Sequence, residues 1–508
     1  MGLKRYNANA DTTIVNAFKP NLRTRGTGSN MGEADIMEVY SIYGRETTSS
    51  QELSRALLKF SMTDITTDRT AGTIPASGSV SFYLRVFNAA HSKTVPPDIT
   101  MVVQPVSRSW QEGVGLDLET YADEVRGNTG ANWISSSKGQ PWTLVGGDYI
   151  TSASDTYKKT LTNGLEDLEI DITQLVEQWI KGTYSNHGVG IHLTASQEAY
   201  HSSSTVGTRG QATGSVLANP DGATTSYYTK RFFARGTQYF FKKPVIEARW
   251  NSVTKDDRGD FYYSSSLASA TDNLNTLYLY NYVRGRLTNI PAIGTGSIYV
   301  SLYSGSSSPT GSVLVLHNSK TNVTGGHVSA GIYSASIAIT AATTPLKNVF
   351  DVWHNDNNTE YFSGSIKPVV LQANQTVETP VYYMNISNLH DKYRKDQTAR
   401  LNLYVRNKFW SPTIYTKATA TVASTTIYSA SYKVYRVLDG LDVVPYGTSS
   451  QLYTVLSYNA SGNYFDFDMS LLDPGYAYGF KFSFYDPVVN SWLEQPYTFK
   501  FRVEDYEY

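Results

Sequence analysis

The hydrophobic pattern of the chain has, for most of its length, a period of two. Leu168, Ile170 and Ile172 alternate with Glu169 and Asp171, as in a strand with one buried face. The period then changes. Ile172, Leu175, Val176 and Trp179 recur at helical spacing, which places Trp179 on the apolar stripe of one short helix. Asp171 or Thr173 can cap its first turn, and Gly182 stands where a left-handed stop is wanted. Asn186-His187-Gly188 turns the chain, after which Val189, Ile191 and Leu193 restore the alternation. So short a helix is marginal alone, and the β-rich segments on either side must cover it.

Further strand signals fall at Thr13–Phe18, Ile36–Ile42 and Ile99–Val106, and Leu53, Ala56, Leu57 and Phe60 begin a core strand or a short helix-to-strand segment. Val80 to Phe87 carries apolar residues on both phases, the mark of a strand between two layers. Tyr227–Trp250 reads as a hairpin with Phe232, Phe233, Tyr239, Phe240 and Phe241 at its heart. Two long loops interrupt this half. Trp110–Asp155 is rich in Gly, Ser and Asp and holds Trp110, Trp133 and Trp142, which are expected to anchor it. Glu198–Thr225 has almost no large apolar residue and contains His201, Arg209 and Asp221. Lys255–Asp260, charged at five of six positions, marks a boundary. Beyond it, Thr276–Val283, Ser297–Tyr303, Ser312–Leu316, Gly331–Ile339 and Ser365–Leu371 alternate at the spacing of a β-sandwich. A second such series begins near Gln375, with Val377–Ile386, Ala399–Phe409, Tyr432–Leu438 and Tyr476–Tyr485 among its strands.

The segment Leu168–Leu193 also resembles the signature of DNRLRE-type β-sandwich modules, found in secreted and phage proteins, some of which bind polysaccharide. The remaining motifs stand in the matching order: Asp11-Thr12-Thr13-Ile14, Asn30-Met31-Gly32, Ser54–Met62, Ser79–Phe87, Ser109–Gly113, Asn132-Trp133 and Lys230–Trp250. The whole chain is similar to structural proteins of marine tailed-phage virions. The resemblance implies a jelly-roll-like sandwich over about half the chain and brings no catalytic residue with it.

Composition narrows the function. The 508 residues exceed one hydrophobic core, and 40% apolar content suffices for several. Charged residues are 17% and the formal net charge is −1, a poor field for gripping nucleic acid. Tyr is abundant, 39 against 7 Met, which suits sheets and interfaces. There is no Cys, so disulfides, thiol catalysis and Cys-ligated zinc are excluded. Met1–Val15 has basic residues without an apolar run behind them, so no leader is expected there. No apolar stretch of about 18 residues exists to insert in a membrane.

Motifs for phosphate loops, nucleophile elbows and HExxH zinc sites are missing. His187 and His192 straddle a turn and read as turn and surface residues before a metal pair. Asp351, His354 and Asp356 read as a solvated turn, with an oxygen-rich cation loop as the alternative. Glycoside cleavage needs two carboxylates set across a sugar. Glu112, Asp117, Glu119, Asp123 and Glu124 are candidates, but no spacing singles out a pair. Arg258-Gly259-Asp260 copies an adhesion tripeptide, though a charged linker explains it better. Arg400, Arg406 and Lys408 share one strand phase with Asn402 and Tyr404, a solvated or docking face.

The expectation is an all-β chain: a jelly-roll-like sandwich with one short helix over 1–255, then immunoglobulin-like sandwiches over 256–374 and 375–508. Its expected role is non-catalytic, a structural component of a tailed-phage virion (neck, tail, baseplate or fibre) assembled in the host cytoplasm. No cofactor, metal, nucleic acid or membrane insertion is expected, and the partners are other virion proteins in a multimeric assembly. The alternative is a carbohydrate-binding adhesin that recognises a host surface glycan, with Trp133, Trp142 and Tyr149 as its stacking platform.

Overall fold

The computed structural model of the protein describes residues 1–43, 51–91, 95–116, 130–202, 215–225, 227–340, 345–373, 380–411, 413–414, 424–448 and 450–505. The architecture is all-β, with two short α-helices among the described residues. The chain divides into two compact units, Gly2–Trp250 and Asn251–Tyr508, with Met1 grouped with the second.

The first unit is built from β1 (Leu3–Val15), β2 (Ile36–Tyr43), β3 (Gln51–Phe60), α1 (Met62–Thr70), β4 (Ser81–Val86), β5 (Ile99–Pro105), β6 (Ser135–Ser137), β7 (Gln140–Pro141), β8 (Tyr157–Leu161), β9 (Leu168–Asp171), α2 (Thr173–Lys181), β10 (Val189–Leu193), β11 (Tyr227–Phe233) and β12 (Val245–Arg249). The main sheet runs β8-β5-β10-β3-β1-β12-β4-β9, with β2 on β3 and β11 on β2. Its fold-over depends on β1. Leu3–Asn7 pair with β12, the register shifts between Ala8 and Ala10, and Asp11–Val15 pair with β3. A bulge bends a strand and raises its twist, so the two ends of β1 join different halves of one sheet. The halves enclose a core in which Phe82, Leu84 and Ile246 meet Leu58, Phe60, Met101 and Ile191.

The expected helix is α2. Asp171 Oδ1 accepts the Thr173 N–H at 2.9 Å, Leu175, Val176 and Trp179 are buried, and Gly182 ends it at φ +74°. Helix α1 forms without an apolar stripe: of its residues only Ile65 is buried. Tertiary contact holds it, since Arg69 forks onto Glu177 of α2 at 2.7 and 2.8 Å. Tyr227–Trp250 is not a hairpin. β11 pairs with β2, while β12 pairs with β1 and β4. Of its five central aromatics Phe232 is buried, whereas Tyr239 is 54% exposed.

In the second unit one six-stranded sheet runs Asn275–Tyr280, Ile332–Ile337, Val323–Ser329, Ile298–Ser304, Val349–His354 and Glu360–Ile366. Val323–Ser329 divides its pairing at Gly325-Gly326, the first half going to Ile298–Val300 and the second to Ile332–Ser334. Glycine permits that corner. The expected strand Ser312–Leu316 is reduced to a bridge from Val313 to Tyr303, and Val315 is exposed. The charged run Lys255–Asp260 lies within this unit: Asp257 takes hydrogen bonds from Thr276 N–H at 2.6 Å and Tyr458 OH at 2.8 Å.

Besides the two-stranded pair Tyr282–Val283 with Arg286–Leu287, the unit holds two larger sheets among the described residues. Tyr382–Ile386, Thr398–Asn407, Gly462–Asp468 and Ser457–Asn459 form one, and a six-stranded sheet centred on Ala430–Arg436 and Ala477–Asp486 forms the other. They meet through aromatic rings. Tyr432 stacks on Phe465 at 4.4 Å between centroids, and Phe465 meets Phe480 edge-on at 5.2 Å.

Two glycines of the α2–β10 connection separate strain from crowding. Gly182 has open space around a built Cβ, whereas a Cβ on Gly188 (φ +83°) would lie 2.0 Å from the Leu58 carbonyl oxygen. Gly182→Ala should cost about 1–2 kcal/mol, for the left-handed backbone alone. Gly188→Ala should cost about 3–5 kcal/mol, because β3 must also shift. Urea titration of the full chain, followed by tryptophan fluorescence, measures both; equal costs would contradict the close approach.

Candidate functional site

The residues that carry chemistry in the first unit gather on the outer face of β3. Side chains along β3 alternate: Ala56, Leu58 and Phe60 enter the main core, while Leu53 and Leu57 enter a second cluster with Trp110, Trp133, Trp142 and Val145. Arg55 lies between Leu53 and Leu57 on this second face and is 8% exposed. A guanidinium so placed needs a counter-charge. Glu198 supplies it in a two-pronged pair, Nε to Oε1 at 3.0 Å and Nη2 to Oε2 at 2.8 Å, and Nη1 reaches the Gly146 carbonyl at 3.2 Å. Burial would lower the Arg55 pKa, but Glu198 holds it above its ordinary value.

This geometry corrects the expected sugar platform. Trp133 and Trp142 are 0% and 1% exposed. Their indole N–H groups donate to the Ser215 and Asn132 carbonyls at 2.7 and 2.8 Å. Tyr149 is half-buried and lies against Gly190, where a Cβ would come within 2.1 Å of the ring. The Arg55 guanidinium carbon is 5.7 Å from the Trp133 ring centroid and 5.6 Å from that of Tyr149. These rings therefore enclose a buried cation, and the two indoles present no free face on which a sugar could stack. Burial, its largest cause, pushes the Tyr149 hydroxyl up to about 12.

His192 packs against Tyr149 with centroids 5.4 Å apart. Its Nδ1 lies 2.7 Å from the Leu193 carbonyl and its Nε2 3.0 Å from Gln104 Oε1. Burial first, then the positive charge of Arg55, lower its pKa to about 4. His187 does not join it: its carbonyl accepts the Trp110 indole N–H at 2.7 Å. Of the five loop carboxylates, Glu112 is tied to Arg235 (2.8 Å) and to the Asp11 N–H (2.8 Å). Asp117, Glu119, Asp123 and Glu124 lie outside the described residues, as does Arg209. Asp11 carried no sequence signal beyond its place in a strand. Burial pushes its carboxyl up to about 7, the neighbouring Glu112 adding to the rise.

Elsewhere charge is likewise turned inward. Glu247 receives Arg5 at 2.8 Å, Arg85 at 3.0 Å and Arg249 at 2.5 Å. Burial opposes its charge, yet the three guanidiniums hold the carboxyl well below the usual range. Asp351, expected in a solvated turn, is fully buried in a strand, with Arg258 at 2.6 and 2.7 Å and the Trp353 indole at 2.7 Å. Neighbouring His354 is buried on Ser301 Oγ at 3.0 Å. Among the described residues no group of three or more His, Asp or Glu is placed to hold a metal. Among the described residues no helix is long and apolar enough to cross a membrane.

No family model matches the chain, and no curated protein matches it significantly. Among solved structures it is similar to trypsin-activated alpha-2-macroglobulin from Escherichia coli, at 8% identity and a TM-score of 0.15, over 92% of this chain and 30% of that one. The chain thus spans about 30% of that protein's length, and so distant a likeness assigns no function.

Two outcomes test the buried pair and its histidine. Arg55→Met should cost about 3–5 kcal/mol by stranding the Glu198 carboxylate, and Arg55→Met with Glu198→Leu should recover part of it. A double-mutant cycle in urea measures the recovery. For His192, the unfolded chain takes up a proton near 6.5 but the folded chain only near 4. Stability is therefore complete above pH 6.5 and falls as pH drops towards 4, by about 3 kcal/mol. His192→Gln should remove that part of the acid sensitivity in matched denaturation curves at pH 7 and pH 4.

Proposed function

We propose that this chain is a non-catalytic structural protein that works through subunit interfaces, as a component of a tailed-phage particle. The likeness of the whole chain to virion structural proteins supports the particle, and one surface carries the interface reading. Val381, Tyr383, Phe409 and Trp410 are 47%, 42%, 77% and 41% exposed at the same end of neighbouring strands. The Lys408 N–H donates to the Val381 carbonyl at 2.7 Å and holds that end together. The Arg406 guanidinium carbon lies 5.1 Å from the Tyr383 ring centroid and 5.9 Å from that of Trp410. Exposed Tyr and Trp around an Arg are the residue types that dominate binding energy at protein interfaces.

Charge distribution on the same strand favours this reading. Arg400 is neutralised by Asp466 at 2.8 Å, whereas Arg406 makes no ion pair among the described residues. The occupant that fits is a neighbouring protein subunit offering a carboxylate and an apolar surface. The buried ion pairs of both units support a structural role, since their acid and base groups are spent on fixing one arrangement of strands. The carbohydrate-binding alternative has no support at Trp133 and Trp142, whose rings are enclosed.

Mass spectrometry of purified particles from a phage encoding this chain should find it as a stoichiometric component; particles that lack it would refute the assignment. Phe409→Asp with Trp410→Ala should reduce incorporation at least about tenfold while leaving the unfolding midpoint of the free chain unchanged. Normal incorporation of that variant would remove this patch from the interface.

A further inference from the structure

Lys230 of β11 is buried without a counter-charge: it is 0% exposed and makes no ion pair among the described residues. The other buried cations described in this unit, Arg55 and Arg249, meet Glu198 at 2.8 Å and Glu247 at 2.5 Å. An ammonium left unpaired in the interior is costly, so Lys230 needs another account. Its position follows from strand pairing. The segment after β4 runs antiparallel to β11, with Asn88 opposite Phe232. The Ala89 N–H donates to the Arg231 carbonyl at 3.0 Å, and the Phe233 N–H to the Phe87 carbonyl at 2.9 Å. Lys230 stands two residues from Phe232, hence on the same face, and is the diagonal neighbour of Asn88. Its Nζ reaches Asn88 Oδ1 at 2.6 Å.

Both groups are held in place by their surroundings. The Gly164 and Glu166 carbonyls accept from Nζ at 2.8 Å each, and the Phe232 ring centroid lies 5.2 Å from it. Asp167 Oδ1 accepts the Asn88 N–H at 2.8 Å. His91 Nε2 lies 3.2 Å from Asn88 Oδ1. The Arg231 N–H is 3.4 Å from the same ring nitrogen, too far for a good hydrogen bond, so Nε2 directs its proton at Asn88. Burial, the largest cause, lowers the Lys230 pKa to about 8, against the charges of Asp167 and Glu166. Part of the population near neutral pH therefore holds a free amine, the nucleophilic form, against a carboxamide in a site that excludes water.

We propose that Lys230 and Asn88 join in an isopeptide bond within the chain. The Lys230 nitrogen attacks Asn88 Cγ, one bond beyond the oxygen it already touches. The His91 N–H stabilises the negative charge that develops on Oδ1. One proton passes from the Lys230 nitrogen to Nδ2, the Cγ–Nδ2 bond breaks, and ammonia leaves as the carbonyl reforms. The product is a secondary amide, and neither an oxidant nor a second substrate is consumed. The bond joins residues 142 apart in sequence. It also links the two ends of the strand path β4-β12-β1-β3-β2-β11, so that this ring of strands is closed covalently. The link involves only the first unit and does not depend on the particle assignment, so either proposal can fail alone.

Intact-mass spectrometry of the full chain, folded and then denatured for the measurement, tests it. The mass should fall short of the sequence value by one ammonia. A tryptic digest should contain peptide 86–93 joined to 210–231, uncleaved after Lys230. Lys230→Arg keeps the charge and should show its full sequence mass, as should Asn88→Ala. In denaturing electrophoresis the wild-type chain should migrate faster than either variant because it retains a closed loop, which no disulfide can supply in a chain without Cys. His91→Ala should leave part of the chain unlinked. A full sequence mass for the wild-type chain, or an ammonia loss mapped to another residue, would overturn the assignment whether or not the variants fold. Complete linkage in His91→Ala would overturn the role given to that ring.

Discussion

A guanidinium in a strand covered on both faces dictates much of the first unit. β3 is buried along nearly its whole length, so the polar side chains on it cannot be answered by water. Each is answered by a segment distant in sequence. Arg55 takes Glu198, 143 residues away, and the Gly146 carbonyl. Gln51 donates to the Ala199 carbonyl at 2.8 Å and accepts the Leu217 N–H at 3.0 Å. Glu52 accepts the Phe18 N–H at 2.9 Å, and Ser54 donates to the Glu38 carbonyl at 2.7 Å. The segments that look like surface loops in the sequence are, where described, a second layer fastened to this strand. Register follows from the same requirement, because a shift of one residue would place Arg55 in the all-apolar core.

The second unit solves a similar problem around Asp351. Its carboxylate is held by Arg258 from the charged run and by the Trp353 indole of its own strand. That run resembles a linker in composition because it is charged. It is instead part of the folded unit because its charges have buried partners. The energetic consequence is asymmetric: a buried pair adds little net stability over an apolar pair of the same shape, but removal of one partner is expensive. Such pairs therefore select one arrangement of strands more than they deepen its minimum.

The difference between what could and could not be read in the sequence follows from how far each cause lies along the chain. Helix α2 was legible because its stripe, cap and glycine stop all lie within about a dozen residues. The all-β character was legible from the period of two. The start of β1 was hidden, since Lys4, Arg5, Asn7 and Asn9 make Leu3–Val15 look polar although the strand is central to the sheet. Helix α1 lacks a stripe, and of the residues read as a solvated turn only Asp356 lies in one: Asp351 and His354 look solvated until Arg258 and Ser301 are placed beside them. The tryptophans show the same limit most directly. Their anchoring role was readable from the length of the loop, but the cation enclosed by Trp133 and Tyr149 is Arg55, far back in the chain.

The inward use of charge also explains what is left to act outside. Where carboxylates and guanidiniums are locked together, what the surface retains for an interface is shape, aromatic area and, among the described residues, the cations that make no ion pair. Arg400 and Arg406 lie on one face of the same strand, yet Arg400 is matched with Asp466 while Arg406 is held against Tyr383 and Trp410. A guanidinium set against aromatic rings is already oriented and partly desolvated, so an incoming carboxylate meets a lower ordering cost than at a free lysine. Under the proposed interface, Arg406 with its two rings is the part of this strand suited to a broad protein surface.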